Sequence, residues 1–157
     1  MRPRVPFTVP IAPVSKISMI KYQYSIKNVD PAMLQGFFVD WPNPPAPKTH
    51  LRLLKNSDMA VLAIDTETRR VIGYITAISD GVLSCYIPFL EVLPAYQNRK
   101  IGQTLVRKML EKMQNVYMID LMCDKKLQGF YKRFKMQPST GMILRNYKNQ
   151  AGKTHRI

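Results

Sequence analysis

Leu90-Glu91-Val92-Leu93-Pro94-Ala95-Tyr96-Gln97-Asn98-Arg99-Lys100-Ile101-Gly102-Gln103-Thr104-Leu105-Val106 reads as three pieces in a fixed order. An apolar strand-like run stops at Pro94, and a short polar turn follows. Apolar residues then recur at helical spacing: Ile101, Leu105, Val106, Met109, Leu110 and Met113, with Arg107, Lys108, Glu111 and Lys112 on the opposite face. The first turn of such a helix carries unpaired backbone N–H groups at the positive end of its dipole, an arrangement suited to a phosphate. Gly102 lets the backbone approach a pyrophosphate closely. Many strand-turn-helix units bind nothing, so the surrounding sequence has to decide.

Upstream, Lys21 to Ile26 alternates aromatic and β-branched residues and predicts a first strand. Asp30-Pro31 supplies an N-cap and first-turn pair for a helix running towards Asp40. Trp41 to Pro47, WPNPPAP, is too proline-rich for helix and forms a stiff loop before a short helix over Thr49 to Leu54. Met59–Ile64 and Val71–Ile78 read as a hairpin around the polar turn DTETRR. Asp80-Gly81 signals a second tight turn into the long strand ending at Pro94. Downstream, Val116–Cys123 reads as a buried strand, Lys125–Phe134 as a short helix and Gly141–Tyr147 as a final strand. Strand, helices, antiparallel meander, helix, strand, helix, strand is an α/β order with a mixed sheet.

The chain has 157 residues, 46% of them apolar, enough for one domain with a real core. Residues 1–18 hold Pro3, Pro6, Pro10 and Pro13 without periodicity and read as an extended arm, with Met19 a candidate start and 19–157 a single domain. No apolar run approaches the roughly 20 residues that cross a bilayer, so no membrane partner is expected. Cys85 and Cys123 sit in apolar runs and make no disulfide framework, which points to reduced thiols and a cytoplasmic protein. With His50 and His155 the only histidines, no metal site is expected. The net charge is +14, and after Tyr96 there are 14 Lys and Arg against Glu111, Asp120 and Asp124. That bias favours anionic partners: a phosphorylated cofactor, nucleic acid or an acidic surface.

Gln97-Asn98-Arg99-Lys100-Ile101-Gly102 resembles the pyrophosphate-binding signature of the GNAT superfamily of N-acetyltransferases, Gln/Arg-x-x-Gly-x-Gly/Ala. Leu127-Gln128-Gly129-Phe130-Tyr131-Lys132-Arg133-Phe134-Lys135-Met136 is similar to the family's second motif. Both come in the family's order, over roughly residues 20 to 147. Lys100 and Lys135 stand where the motifs carry glycine, and a lysine at position 100 calls for a non-glycine backbone conformation.

The resemblance implies an α+β fold: a mixed, mostly antiparallel sheet of six to seven strands flanked by about four helices and splayed at the fourth strand. It implies transfer of an acetyl group from acetyl-CoA to a primary amine of a small molecule or protein. Leu90, Val92 and Leu93 would flank the pantetheine arm, with the Val92 N–H beside the thioester oxygen. Backbone N–H groups from Arg99 to Thr104, with Gln97, Asn98 and Gln103 among the cofactor contacts, would cradle the pyrophosphate, and Asp124 and Phe130 complete the site. Lys125, Lys126, Lys132 and Arg133 would lie near the adenosine end.

Tyr131 matches the tyrosine that protonates the departing thiolate, or is an aromatic packed beside Phe130 and Phe134. Glu91 is the candidate base for the acceptor amine, or a carboxylate facing solvent or a lysine. Phe37, Phe38, Trp41 and Tyr147 would line the acceptor pocket, with Trp41 equally readable as a core plug. Two other readings stay open: a nucleic-acid- or ribosome-associated module using Lys148, Lys153 and Arg156, and an acyl-CoA-binding regulator without catalysis. A homodimer is compatible with the family.

Overall fold

The two most continuous apolar runs form the centre of the sheet, because strands covered on both faces need apolar residues at every position. They are β2 (Met59–Asp65) and β3 (Arg70–Ser79), antiparallel and almost wholly buried. The computed structural model describes residues 19–153, so the proposed N-terminal arm, His155 and Arg156 lie outside the described residues. β1 (Ile20–Gln23) pairs with the outer edge of β2, and β4 (Ser84–Val92) pairs antiparallel with β3. β5 (Met118–Asp120) lies parallel to β4, giving a five-stranded sheet in the order β1-β2-β3-β4-β5. A parallel pair needs a crossover, which α2 (Ile101–Lys112) supplies.

The sheet has two differently covered faces. On one, α2 lies against β3 at Gly73, where an added Cβ would come within 3.2 Å of Leu105 and 3.3 Å of Ile101. On the other, α1 (Pro47–Asn56) presents His50 and Leu54 from one stripe, beside Phe37, Phe38 and Tyr74. Pro47 opens α1 at a position whose N–H would be unpaired in any case. The Asp80 carboxylate accepts from the N–H groups of Val82, Leu83 and Ser84 and so closes the β3–β4 turn. Cys85 and Cys123 are free thiols, Cys85 buried.

Three expectations need correction. The helix expected from Asp30 towards Asp40 is a single 3₁₀ turn, Pro31–Leu34. Asp30 caps it as expected, through the N–H groups of Ala32 and Met33. Gly36, Phe38 and Asp40 then take left-handed φ values of 87°, 60° and 64°, which no right-handed helix contains. The strand expected over Val116–Cys123 is only three residues long, with Tyr117 82% exposed. Gly141–Tyr147 forms no strand: Met142 and Leu144 are fully solvent-exposed and the segment ends in a 3₁₀ turn, Tyr147–Asn149. Among the described residues there are therefore five strands and three α-helices (the third is α3, Gln128–Lys132), not six to seven strands and four helices.

Pairing between β4 and β5 ends at Tyr86 and Asp120. From Ile87 onward β4 is bonded to β3 alone, so its other edge is open.

Candidate functional site

The Leu93 N–H donates to Ile72 O at 2.9 Å, the last bond of the sheet before the chain leaves it. A 3₁₀ turn over Pro94–Tyr96 follows, and the Gln97 side-chain amide reaches back to Val92 O at 3.1 Å. The first bond of α2 is from the Thr104 N–H to Lys100 O, 3.0 Å. Between these points the backbone N–H groups from Asn98 through Gln103 find no acceptor among the described residues. Asn98 and Lys100 are both left-handed, at φ 62°. Left-handed residues set beside right-handed ones turn successive N–H groups inward and form an anion-binding concavity, which the dipole of α2 reinforces.

Two expectations change here. Lys100 takes the left-handed conformation that favours glycine, φ 62° and ψ 10°, and Lys135 does likewise at φ 64°. Thr104 drops out of the donor set, because both its N–H and its hydroxyl are bonded to Lys100 O. Asn98 takes its place.

The open edge of β4 adjoins this turn. The Leu93 N–H points to β3, and N–H directions alternate along a strand. Those of Leu90 and Val92 therefore point to the open side, as does the Val92 carbonyl that receives Gln97. The side chains of Leu90 and Val92, the turn, Gly102, Phe130 and Tyr131 enclose a cleft of about 440 Å³. A Cβ at Gly102 would project between Phe130 and Val92, 3.7 Å from each, and take up part of it. A larger cavity of about 700 Å³ lies between β5, α3 and residues 134–141 and also reaches Tyr131, but touches none of the free N–H groups. The smaller cleft is the one with the chemistry.

Tyr131 packs edge-on against Phe130, centroids 4.9 Å apart. Burial, aided by the neighbouring Cys123, pushes its hydroxyl up to about 12, so it stays protonated at neutral pH.

The opposite face of β4 carries Phe89 and Glu91. Glu91 stands across from Tyr74, and its two oxygens accept the N–H groups of Phe38, 2.9 Å, and Val39, 3.1 Å. Half-buried, it holds the left-handed loop over residues 36–40. Phe37 and Phe38 are buried; Trp41, 39% exposed, packs on Phe38 at 5.2 Å and Phe89 at 6.5 Å. His50 sits in this aromatic cluster with neither ring nitrogen hydrogen-bonded, and burial pulls its pKa down to about 4. Tyr147 is exposed, in a turn tied to the proline loop by a bond from the Asn43 N–H to Gln150 Oε1, 3.0 Å.

Leu90, Val92, Gln97, Asn98, Lys100, Ile101, Gly102, Gln103, Phe130 and Tyr131 thus come together in one cleft. Leu93 is core, Asp124 heads a 3₁₀ turn away from it, and the Arg99 side chain lies over the Tyr96 ring outside the lining. Sequence reading overlooked Tyr96 and Leu127, which do line it. Tyr96, an aromatic at the start of the turn, was the visible signal. Arg133 lines it as well, stacked on Phe130 at 5.9 Å.

The profile of the acetyltransferase (GNAT) family matches residues 26–136. A comparison with curated protein sequences finds no match. Among solved structures, a candidate acetyltransferase of Deinococcus radiodurans R1 is 40% identical, with a TM-score of 0.83 over 87% of this chain and 94% of its own. A GNAT-family acetyltransferase of Streptococcus pneumoniae TIGR4 is 28% identical, with a TM-score of 0.66 over 82% of this chain and 98% of its own. An aminoglycoside N-acetyltransferase solved with CoA is 14% identical, with a TM-score of 0.60 over 85% of this chain and 97% of its own, a likeness of fold alone. With both motifs meeting at one cleft and the family profile spanning most of its length, the chain belongs to the GNAT family of acetyltransferases.

Proposed function

We propose that the protein transfers an acetyl group from acetyl-CoA to a primary amine of a small molecule or protein, by direct attack with both substrates bound. The observation that carries this reading is that the unpaired N–H run, the open edge of β4 and Tyr131 all face one cleft.

The residues present fit the cofactor. The N–H groups from Asn98 through Gln103, with the Lys100 ammonium beside them, match a pyrophosphate in charge and donor count. The free N–H groups of Leu90 and Val92 and the free C=O of Leu90 match an amide-bearing arm laid along the strand edge, the Val92 C=O being taken by Gln97. When bound, acetyl-CoA supplies an activated thioester with a thiolate leaving group. The Val92 N–H, fixed by the β3–β4 ladder, donates to the carbonyl oxygen as negative charge develops there; a donor already in position costs no reorganisation. Tyr131, a neutral phenol whose pKa burial raises further, holds a proton for the departing sulfur. Phe130 and Leu127 give the cleft an apolar wall.

An alkylammonium has no lone pair until it loses a proton, with an ordinary pKa of about 10.4. Glu91 is the carboxylate nearest the strand edge, and each of its oxygens keeps acceptor capacity beyond its one backbone bond. It orients the loop carrying Phe38 and Trp41 and takes the proton, directly or through a water. The acceptor enters from that face of β4, opposite the side chains of Leu90 and Val92.

Thermal titration with acetyl-CoA tests the reading. At a hundredfold excess over Kd, binding to the folded state alone contributes about 2.7 kcal/mol, a rise in Tm of roughly 5–10 °C for a chain of this size. The Tyr131→Phe variant should keep that rise and lose most of its turnover in an amine screen with thiol-release detection. No rise at millimolar acetyl-CoA refutes the proposal, and unchanged turnover in Tyr131→Phe removes Tyr131 from it.

A further inference from the structure

The turn from Gln97 to Gln103 is held by very little of its own. Its N–H groups are unpaired from Asn98 onward, α2 has no side-chain cap at Lys100, and two of its residues are left-handed without being glycine. Lysine disfavours that shape, whereas asparagine tolerates it, so the strain falls mainly on Lys100. Beyond the Gln97 bond to Val92 O and the buried Ile101 side chain, what keeps it open in the absence of an anion lies outside the turn.

Tyr96, which begins it, is fastened at a distance. Its hydroxyl donates to Asp65 Oδ2 at 2.7 Å, a short charge-assisted bond. Asp65 is 2% exposed at the end of β2, and its other oxygen accepts the N–H groups of Glu67, 2.9 Å, and Thr68, 3.3 Å. Burial raises the Asp65 carboxyl, but the Tyr96 hydroxyl and the Thr68 and Glu67 donors outweigh it and hold it below its ordinary value. The carboxylate thus ties the β2–β3 turn and the β4–α2 turn to a single point. The Tyr96 ring lines the cleft, and the Arg99 guanidinium rests over it, 5.3 Å from the centroid. The Arg99 side chain is thereby laid against the ring that begins the turn, outside the cleft lining.

We infer that Asp65 and Tyr96 are positioning residues: their hydrogen bond holds the Gln97–Gln103 turn in its anion-binding shape. Both act through the turn, by the bond from the Tyr96 hydroxyl to the Asp65 carboxylate, while the Tyr96 ring itself lines the cleft. The coenzyme half of this inference rests on the acetyl-CoA reading, whereas the holding of the turn does not.

The test uses Tyr96→Phe, which removes the hydroxyl and keeps the ring. Backbone ¹⁵N order parameters over residues 97–103 are measured without ligand, and the Kd for coenzyme A by calorimetry. The anchor predicts order parameters falling from about 0.85 towards 0.6 in that stretch, with residues 105–112 of α2 unchanged. It also predicts coenzyme A binding roughly tenfold weaker. In a Lys100→Gly background, where the turn is less strained, Tyr96→Phe should weaken binding by less than half as many decades, a coupling that a double-mutant cycle reads directly. A merely structural bond would lower Tm and leave the order parameters, the Kd and the coupling alone, and that result overturns the inference. If the wild-type protein does not bind coenzyme A, the acetyl-CoA reading falls and the order parameters alone decide whether the anchor exists.

Discussion

Replacing Lys100 by glycine should make the protein more stable and its cofactor binding weaker, two effects that usually travel together. Lys100 sits at φ 62° and ψ 10°, where its Cβ crowds the backbone. That conformation costs an L-residue about 1–2 kcal/mol and costs glycine almost nothing. Glycine returns part of the gain through the greater freedom of its unfolded chain, about 0.5–1 kcal/mol. The net expectation is about 0.5–1 kcal/mol of added stability, or roughly 1–4 °C in Tm. Lys100 is an exposed residue lining the cleft, so the same change removes an ammonium from the anion site and weakens coenzyme A binding. Lys100→Ala is the matched control: it removes the same charge but keeps a Cβ in the left-handed region. Urea unfolding with coenzyme A titration should rank glycine above alanine in stability, and both below wild type in affinity. A glycine variant no more stable than the alanine variant would refute the strain argument. Lys135, at φ 64° beyond α3, should show the stability gain alone, since it does not line the cleft.

Two more perturbations examine the acceptor face. His50 is neutral, its pKa lowered by burial from 6.5 to about 4, so the unfolded chain binds its proton more tightly than the folded one. Its contribution is intact above pH 6.5 and is lost as pH falls through that window towards 4, by up to about 3 kcal/mol. His50→Leu should flatten that part of the stability profile in pH-dependent urea unfolding, and an unchanged slope would show that the imidazole titrates normally. Glu91→Gln leaves one carbonyl oxygen to serve two N–H groups, so the Phe38–Val39 loop should loosen. With the proton acceptor gone, kcat should fall by about tenfold or more and the acceptor KM should rise severalfold, while the coenzyme A Kd stays within a factor of two; a change confined to coenzyme A would place Glu91 on the wrong face.

What was legible in sequence was whatever depends on neighbours along the chain. Met59–Ile64 and Val71–Ile78 announced the central hairpin because a strand buried on both faces leaves no polar position. Asp80-Gly81 announced its turn, and the helical period after Lys100 announced α2. The anion-binding turn could be found because both sides of that interaction, free N–H groups and a helix start, belong to one contiguous stretch. Tertiary structure decided whatever needs a partner far away. Val116–Cys123 and Gly141–Tyr147 have strand-like side chains, but a strand exists only where another edge lies alongside; β4 turns away from the first after three pairs, and the second meets no edge. The left-handed lysines were equally hidden, since the amino acid disfavours the conformation that the surrounding chain imposes. Glu91 and Phe38, 53 residues apart, and Tyr96 and Asp65, 31 apart, meet only when the folded sheet brings a strand end beside a distant loop or turn. Chain order set where unpaired N–H groups meet a helix start; sheet packing set which side chains fasten that turn and which faces of β4 stay open.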